Sequence, residues 1–375
     1  MPQPANFGFG EEEQALRDAA RKFLAEHLPT DRLHRLVATH SADASRWDPA
    51  LWAGMGALGW TGVGVPERCG GVGMPAVAAV ALAEEAGRAA LPSPLIGTLQ
   101  ASALLSACST VAADALLSEI ADGKAVAVGI TAQRGDWRGE ACEAEWRDGA
   151  LHGTVHWVQD AAKADVFVVK ARSAGGAGLY AVRAGTVGLA VQADAIVDLT
   201  RDQARLSLDG AQGVELAAPG DAARVIAAAE PALFTLIAAD LCGAAEWLLQ
   251  TTAEYARVRQ QFDRQIGFFQ AVKHPLVDAM IAIDGARSHL YNAASAIDHD
   301  AAGALRAAHM AKAAASDAAR FGASRAVQFH GGIGFTWECQ VQLYFKRQLH
   351  NDALFGDAAW HRAQLAQMLL GPAGG

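Results

Sequence analysis

Arg259, Phe262 and Gln270 fall within one short stretch, Arg259-Gln-Gln-Phe-Asp-Arg-Gln-Ile-Gly-Phe-Phe-Gln270. A guanidinium offers a planar fork of donors that matches a phosphate. A phenylalanine can lie against a flat ring, and an amide can hydrogen-bond a polar edge. Further on, Val327-Gln-Phe-His-Gly-Gly-Ile-Gly-Phe-Thr-Trp-Glu338 interrupts a helical pattern with glycines at 331, 332 and 334. Glycine in a helix interior costs about 0.5–1 kcal/mol relative to alanine, a penalty tolerated where the backbone must turn with φ > 0 or let another group approach. Gln328 adds an amide just before the glycine pair. The chemistry these residues share is presentation of N–H groups, amides and a guanidinium to something flat or anionic. They also fit a plainer role, because glycine commonly ends helices and arginines and aromatics populate exposed helical corners.

Long helices must position these residues. Residues 231–259 keep apolar or small side chains on most turns and read as a mostly buried helix. Two further long helical patterns cover 273–298 and 304–329, and a last helix fits 358–370, which together predict an antiparallel bundle with both motifs at its corners. The first third is helical too. Residues 11–27 open with Glu11, Glu12 and Glu13 at the positive helix end and carry Leu16, Ala20, Phe23 and Leu24 at helical spacing. Helices also fit 49–58, 76–87 and 95–107, and the glycine-rich stretch 59–73 is a loop. Past Asp122-Gly123 the character changes. Short runs at 125–130, 154–158, 165–170, 179–182 and 204–208 read as strands of a barrel or a sandwich. The fold class is α+β multidomain: an N-terminal helical domain at 1–121, a β-rich middle domain at 122–220 and a C-terminal helical bundle at 221–375.

The chain is 52% hydrophobic and 19% charged with a net charge of −9, which supplies large cores and argues against nucleic acid or an anionic membrane as the main partner. It shows no basic segment leading into an apolar run at its start and no run of eighteen apolar residues, so no membrane association and a cytoplasmic location are expected. Cysteines at 69, 108, 142, 242 and 339 form no C-x-x-C pair, so neither a zinc site nor a disulfide framework is expected.

Taken together, the two motifs closely resemble those of the acyl-CoA dehydrogenase family, which carries R-x-x-F-G-x-x-I-x-x-F-Q and, tens of residues later, Q-x-x-G-G-x-G-[FY]. Gly59-Trp60, Val65-Pro66-Glu67, Gly70-Gly71-Val-Gly73 and Glu84-Glu85-Ala-Gly87-Arg88 look like that family's first helical domain, and the segment around Trp157 like its W-I-x strand. The resemblance covers nearly the whole chain in the family's order. It implies FAD as cofactor, an acyl-CoA as substrate, and a homo- or hetero-oligomer, commonly a dimer of dimers, with electron-transfer flavoprotein as an acceptor. Arg259, Gln261, Phe262, Gln270, Gln328, Gly331 and Gly332 match positions that reach a neighbouring subunit's FAD. Trp157 and Thr131 match positions beside the chain's own flavin.

The departures from the pattern concern the chemistry. In the family a glutamate in a Y-E-G-T segment removes the substrate's α-proton while hydride passes from Cβ to flavin N5. Here the segment reads Leu354-Phe355-Gly356-Asp357, so Phe355 stands at the base position, with only its backbone N–H to polarise a thioester carbonyl. Asp357, two residues on, is the remaining candidate base in that segment. The alternative family position, counted back from Arg259, falls at Leu233, with Glu230 a turn earlier. The T-E-P-x-x-G-S-D loop reads Thr131-Ala-Gln-Arg-Gly-Asp136 here, which keeps the threonine and loses the acid and the serine. Gln159 stands where a small hydroxyl residue usually touches the flavin. Three functions follow from the resemblance: an FAD-dependent acyl-CoA dehydrogenase, a base-deficient subunit completing a partner's FAD site in a heteromer, or a flavin oxidase or monooxygenase on the same fold.

Overall fold

The computed structural model describes residues 5–38 and 46–371. Helices come first: α1 (Glu11–His27), α2 (Thr30–Val37), α3 (Pro49–Ala57), α4 (Ala76–Arg88), α5 (Leu95–Ser106) and α6 (Val111–Ala121). Their starts follow from local chemistry. Glu13 accepts from the Gly10 N–H at 2.8 Å, Asp48 caps α3 ahead of Pro49, and Thr110 caps α6. The sequence reading passed over α2 and α6.

The strands are β1 (Val126–Gly129), β2 (Glu143–Arg147), β3 (Ala150–Gln159), β4 (Val166–Ser173), β5 (Gly176–Arg183), β6 (Leu189–Ala193), β7 (Gln203–Ala211) and β8 (Val214–Ala217). They form one eight-stranded mixed sheet in the order β6-β7-β3-β2-β4-β5-β8, with β1 added parallel to β4. Among the described residues β6 and β8 do not pair with each other. All eight strands thus belong to one hydrogen-bonded sheet, which makes up the β-rich middle part that the sequence predicts. The irregularity that matters lies in β3, whose register against β7 shifts between Val155 and Val158.

The last third contains α7 (Ala222–Val258), α8 (Gln270–His299), α9 (Ala301–His330), α10 (Val341–Ala353) and α11 (Ala358–Leu370). Asp300 alone joins α8 to α9 and caps α9 through the Gly303 N–H. By length and apolar composition α7 resembles a membrane-crossing helix, but its most apolar window is 78% buried inside the fold, as a core helix must be. It crosses α4 with the two backbones in contact. A Cβ on Gly243 would lie 1.8 Å from the Glu84 carbonyl oxygen, and one on Gly87 would lie 2.2 Å from that of Asp240. Only glycine fits at that crossing.

Candidate functional site

A cleft of about 900 Å³ opens between the loop 131–138, the bulged part of β3, α5 and the turn joining α10 to α11. The register shift in β3 turns Trp157 out over it, as bulges commonly re-aim a side chain. Trp157 has φ 59, a conformation that is strained for a bulky residue. Its indole N–H donates to the Gln133 carbonyl at 3.2 Å, and Thr131 bridges to His156 beside it. Both Thr131 and Trp157 line the cleft. Gln159 also lines it, but its amide is engaged. Its oxygen lies 2.6 Å from His350 Nε2, and its NH₂ donates to Gln203 at 2.8 Å, which in turn donates to Asp194 at 3.0 Å. Burial holds His350 below the usual imidazole range. His350 and Gln203 were not found from sequence, which offers no local signal for them.

The carboxylates are few and committed. Asp136 is the one carboxylate among the residues lining the cleft, and it accepts from the Arg138 backbone N–H at 3.0 Å. Glu230 lies just behind the wall. It accepts from Trp137 Nε1 at 2.8 Å and from Arg138 Nε and Nη2 at 2.5 and 3.1 Å. Arg138 also reaches Gln364 and lies over the Trp360 ring. Both oxygens of Glu230 are thus occupied by an arginine held in place on a third side. Leu233 is fully buried and lends its carbonyl to Gln100 at 3.0 Å. Phe355, at φ 53, meets the Trp137 ring edge-on at 5.5 Å. Asp357 does not line the cleft; it is the N-cap of α11 and accepts from the Trp360 N–H at 2.8 Å. Arg362, further along α11, pairs with Asp317.

Behind this aromatic wall, Phe234 packs against His309 and His361, whose Nδ1 atoms are 2.7 Å apart. One must donate and the other accept, so two neutral rings here are in opposite tautomers. Burial pushes His309 down to about 4 and His361 down to about 2. A histidine in the unfolded chain titrates near ~6.5, so below that pH the unfolded state binds more protons. The stability held by the neutral pair is complete above about pH 6.5 and is lost as pH falls, toward 4 for His309 and toward 2 for His361, at about 1.4 kcal/mol per pH unit for each ring. Melting temperature is expected to fall between pH 7 and pH 5, and the double variant His309→Leu, His361→Leu to flatten that slope. Equal slopes in the two proteins would show that the pair is not responsible.

The remaining candidates lie elsewhere. Between α7 and α8 the chain makes a hairpin with Phe262 and Asp263 at φ 54 and 57, as a two-residue turn with both central residues left-handed requires. The Phe262 ring at its tip is 86% exposed. Stacking of Tyr255 on His330 at 4.3 Å ties this corner to the end of α9. The structure thereby gathers Arg259, Gln261, Phe262, Gln270, Gln328, Gly331 and Gly332 at one end of the bundle, all exposed. Gly331 ends α9 at φ 65. Gly332 has no such backbone demand, and a Cβ there would meet nothing within 4 Å. No described residue accounts for its missing side chain. None of these residues lines the cleft. Glu230 and Arg259 stand at opposite ends of a helical run that spans roughly 40 Å at 1.5 Å per residue. The corner and the cleft are thus separate features of the chain.

The chain matches the family models described as acyl-CoA dehydrogenase, N-terminal domain, over residues 10–124 and acyl-CoA dehydrogenase, C-terminal domain, over residues 235–370. It is 32% identical over 338 residues to the acyl-CoA dehydrogenase IpdE2 of Mycobacterium tuberculosis, covering 90% of this chain and 91% of that one. Among solved structures it resembles a variant of the Tcur3481-Tcur3483 steroid ACAD, with TM-score 0.86 and 29% identity over 96% of this chain and 98% of the other. It also resembles the ChsE4-ChsE5 complex from Mycobacterium tuberculosis, with TM-score 0.84 and 27% identity over 98% of this chain and 100% of the other.

Proposed function

The chain belongs to the acyl-CoA dehydrogenase family, and from that premise we propose that it is the base-deficient subunit of a heteromeric acyl-CoA dehydrogenase. The observation that carries this reading is the division of the site. An exposed corner suited to a dinucleotide stands apart from a cleft whose nearby carboxylates are capped or paired. Arg259 would neutralise the pyrophosphate of a neighbour's FAD, Phe262 would cover a ring, Gln270 and Gln328 would bond polar edges, and Gly332 would let the group approach the backbone. Bound FAD supplies the two-electron acceptor for α,β-dehydrogenation of an acyl-CoA thioester. This chain's residues hold that group, and the partner contributes the glutamate that Phe355 replaces. The reading draws support from two related structures that are each named for two different chains. A second reading, dehydrogenation in this chain's own cleft with hydride passing from Cβ to flavin N5, is favoured by the presence of Thr131 and Trp157 there. Electron-transfer flavoprotein as acceptor and a cytoplasmic location accompany either reading.

Purification tests it. Alone, the chain is expected to be colourless and inert. Co-expressed with a sibling that carries the glutamate, it is expected to give a yellow complex with one FAD per pair that oxidises acyl-CoA. A yellow, active protein from this chain alone would refute the proposal. Asp357→Asn is expected to leave flavin reduction in the complex within about twofold of the parent, because asparagine caps a helix nearly as well as aspartate. A loss of ~10²-fold or more, the scale of a removed general base, with FAD retained would instead place the chemistry in this chain.

A further inference from the structure

Two buried lysines stand behind the cleft. Lys312 on α9 and Lys170 on β4 are 0% and 1% exposed, and neither ammonium hydrogen-bonds a carboxylate among the described residues. A buried charge is costly unless its hydrogen-bonding groups are satisfied. Lys312 Nζ donates to the Asp352 carbonyl at 3.0 Å, to the Gly356 carbonyl at 2.9 Å and to Ser316 Oγ at 3.3 Å, which uses all three of its N–H groups. Lys170 Nζ donates to the Trp137 carbonyl at 2.9 Å and, more weakly, to the Gly139 carbonyl at 3.5 Å.

Both lysines hold backbone that forms the cleft wall. Ala353, Leu354, Phe355 and Gly356 line the cleft, and the two carbonyls that Lys312 holds, those of Asp352 and Gly356, bracket this turn. Within it Phe355 has φ 53, a strained conformation for a bulky residue that persists only where its surroundings fix it. Gly356, at φ 90, packs on the next helix: a Cβ there would lie 2.5 Å from the Trp360 ring. The Trp360 ring in turn lies 5.0 Å from that of Trp137, the residue whose carbonyl Lys170 holds. The two lysines thus fix opposite halves of one aromatic contact.

The charged and titratable groups around Lys312 come from α9, α10 and α11. The Asp352 carboxylate is taken by Arg320, Asp357 caps α11, and His361 lies beside His309. Burial pushes Lys312 down to about 7, against the pull of the two aspartates, whereas His309 and His361 stay neutral at that pH. We propose that Lys312 is the positioning residue of the cleft: its ammonium holds the Phe355 turn against Trp137, and loss of a proton to water releases that turn. A neutral amine has two N–H groups for three acceptors, so one bond is given up, and the strain at Phe355 draws the turn away. Lys170 serves two carbonyls, which an amine can still satisfy, so it acts as a fixed pin. The cleft thereby changes shape as pH rises through neutrality.

The test is fluorine NMR of the full chain carrying 5-fluorotryptophan, with the signals of Trp137 and Trp360 assigned by Trp137→Phe and Trp360→Phe. From pH 6 to pH 9 the Trp360 signal is expected to titrate with a midpoint of about 7. Trp247, which stacks on Tyr344 and does not line the cleft, is expected to stay still. Ser316→Ala removes one acceptor of the ammonium and is expected to lower the midpoint by about half to one pH unit, the scale of one net hydrogen bond. Lys312→Met is expected to abolish the titration; should that variant not fold, the parent and Ser316→Ala still decide. A Trp360 signal that does not titrate in the parent, a midpoint unmoved in Ser316→Ala, or a titration that persists in Lys312→Met would each overturn the assignment. The measurement needs neither FAD nor a sibling chain, so its outcome does not depend on which subunit carries the catalytic base.

Discussion

Arg259→Ala is expected to lower the affinity of the assembled complex for FAD by about 10- to 100-fold. A hydrogen bond to a charged group is worth about 1.5–3 kcal/mol, and a guanidinium on a pyrophosphate can make two such bonds. The effect should be confined to cofactor binding. Among the described residues the Arg259 side chain makes no hydrogen bond or ion pair, and the residue is exposed at the end of α7. The melting temperature of the isolated chain should therefore not move. Arg259→Lys should recover part of the loss, since an ammonium keeps the charge and loses the planar fork. FAD content after gel filtration, read at a fixed complex concentration, measures the effect. If the variant complex kept its full FAD content at micromolar dilution, the corner would not be a cofactor grip, and the division of labour proposed for the subunits would lose its support. Gly332→Leu is the companion experiment. It adds bulk where nothing in the chain objects, so a loss of FAD there reports directly on a group arriving from outside.

The corner was legible in the sequence because its residues are exposed and recognising them needs no distant partner within the chain. Arg259, Phe262 and Gln270 stand close together in sequence, and the glycine run announces itself by breaking a helix. The cleft was less legible, for two physical reasons. Its partners are far apart in sequence, as when Arg138 meets Glu230 or Gln159 meets His350, and no spacing rule joins them. Some of its supporting elements also bury polar side chains. The buried face of α10 carries Gln342, Arg347, Gln348 and Asn351, so a search for apolar periodicity passes over it. The short strands β2, β6 and β8 were missed too: β6 is a largely exposed sheet edge and β8 is exposed only at its first half, so neither edge strand shows a clean alternation. The long apolar helix α7, by contrast, was readable to its C-terminal end, because burial on most faces leaves a record in the residue types, but its first turns were cut off at Pro231, which lies inside the helix. The Trp157 bulge was invisible in sequence, since a one-residue register shift depends on the partner strand.

The polar face of α10 leads to the largest expected effect on stability. Asp240 on α7 is fully buried and receives four donors on its two oxygens. Arg347 reaches it with Nε at 2.8 Å and Nη2 at 2.5 Å, Arg201 at 2.9 Å and Asn351 at 2.6 Å. Burial alone would raise its pKa, but Arg347 and Arg201 hold the carboxylate below its ordinary range. Arg347 continues to Thr200, and Arg201 to Asp160, at the ends of the sheet. One carboxylate thus fastens α7, α10 and the sheet at a single point. Asp240→Asn removes the charge and turns amide N–H groups toward guanidinium N–H groups. Two arginines are then left buried with too little negative charge, which costs about 3–5 kcal/mol. A fall in melting temperature on the order of 10 °C is expected. The double variant Asp240→Leu, Arg347→Met should recover part of that fall, because it removes one of the two arginines left without the carboxylate, while Arg201 keeps Asp160. The consequence reaches the cleft as well. Asn351 follows His350 and Asp160 follows Gln159, so the network holds in register the two residues whose side chains meet at 2.6 Å across the cleft wall. Asp240→Asn should therefore disturb the cleft even at temperatures where the chain stays folded. A drop of less than about 2 °C, with the double variant no better than the single, would mean that the ion network is structurally idle and that packing at the Gly87–Gly243 crossing alone sets the join.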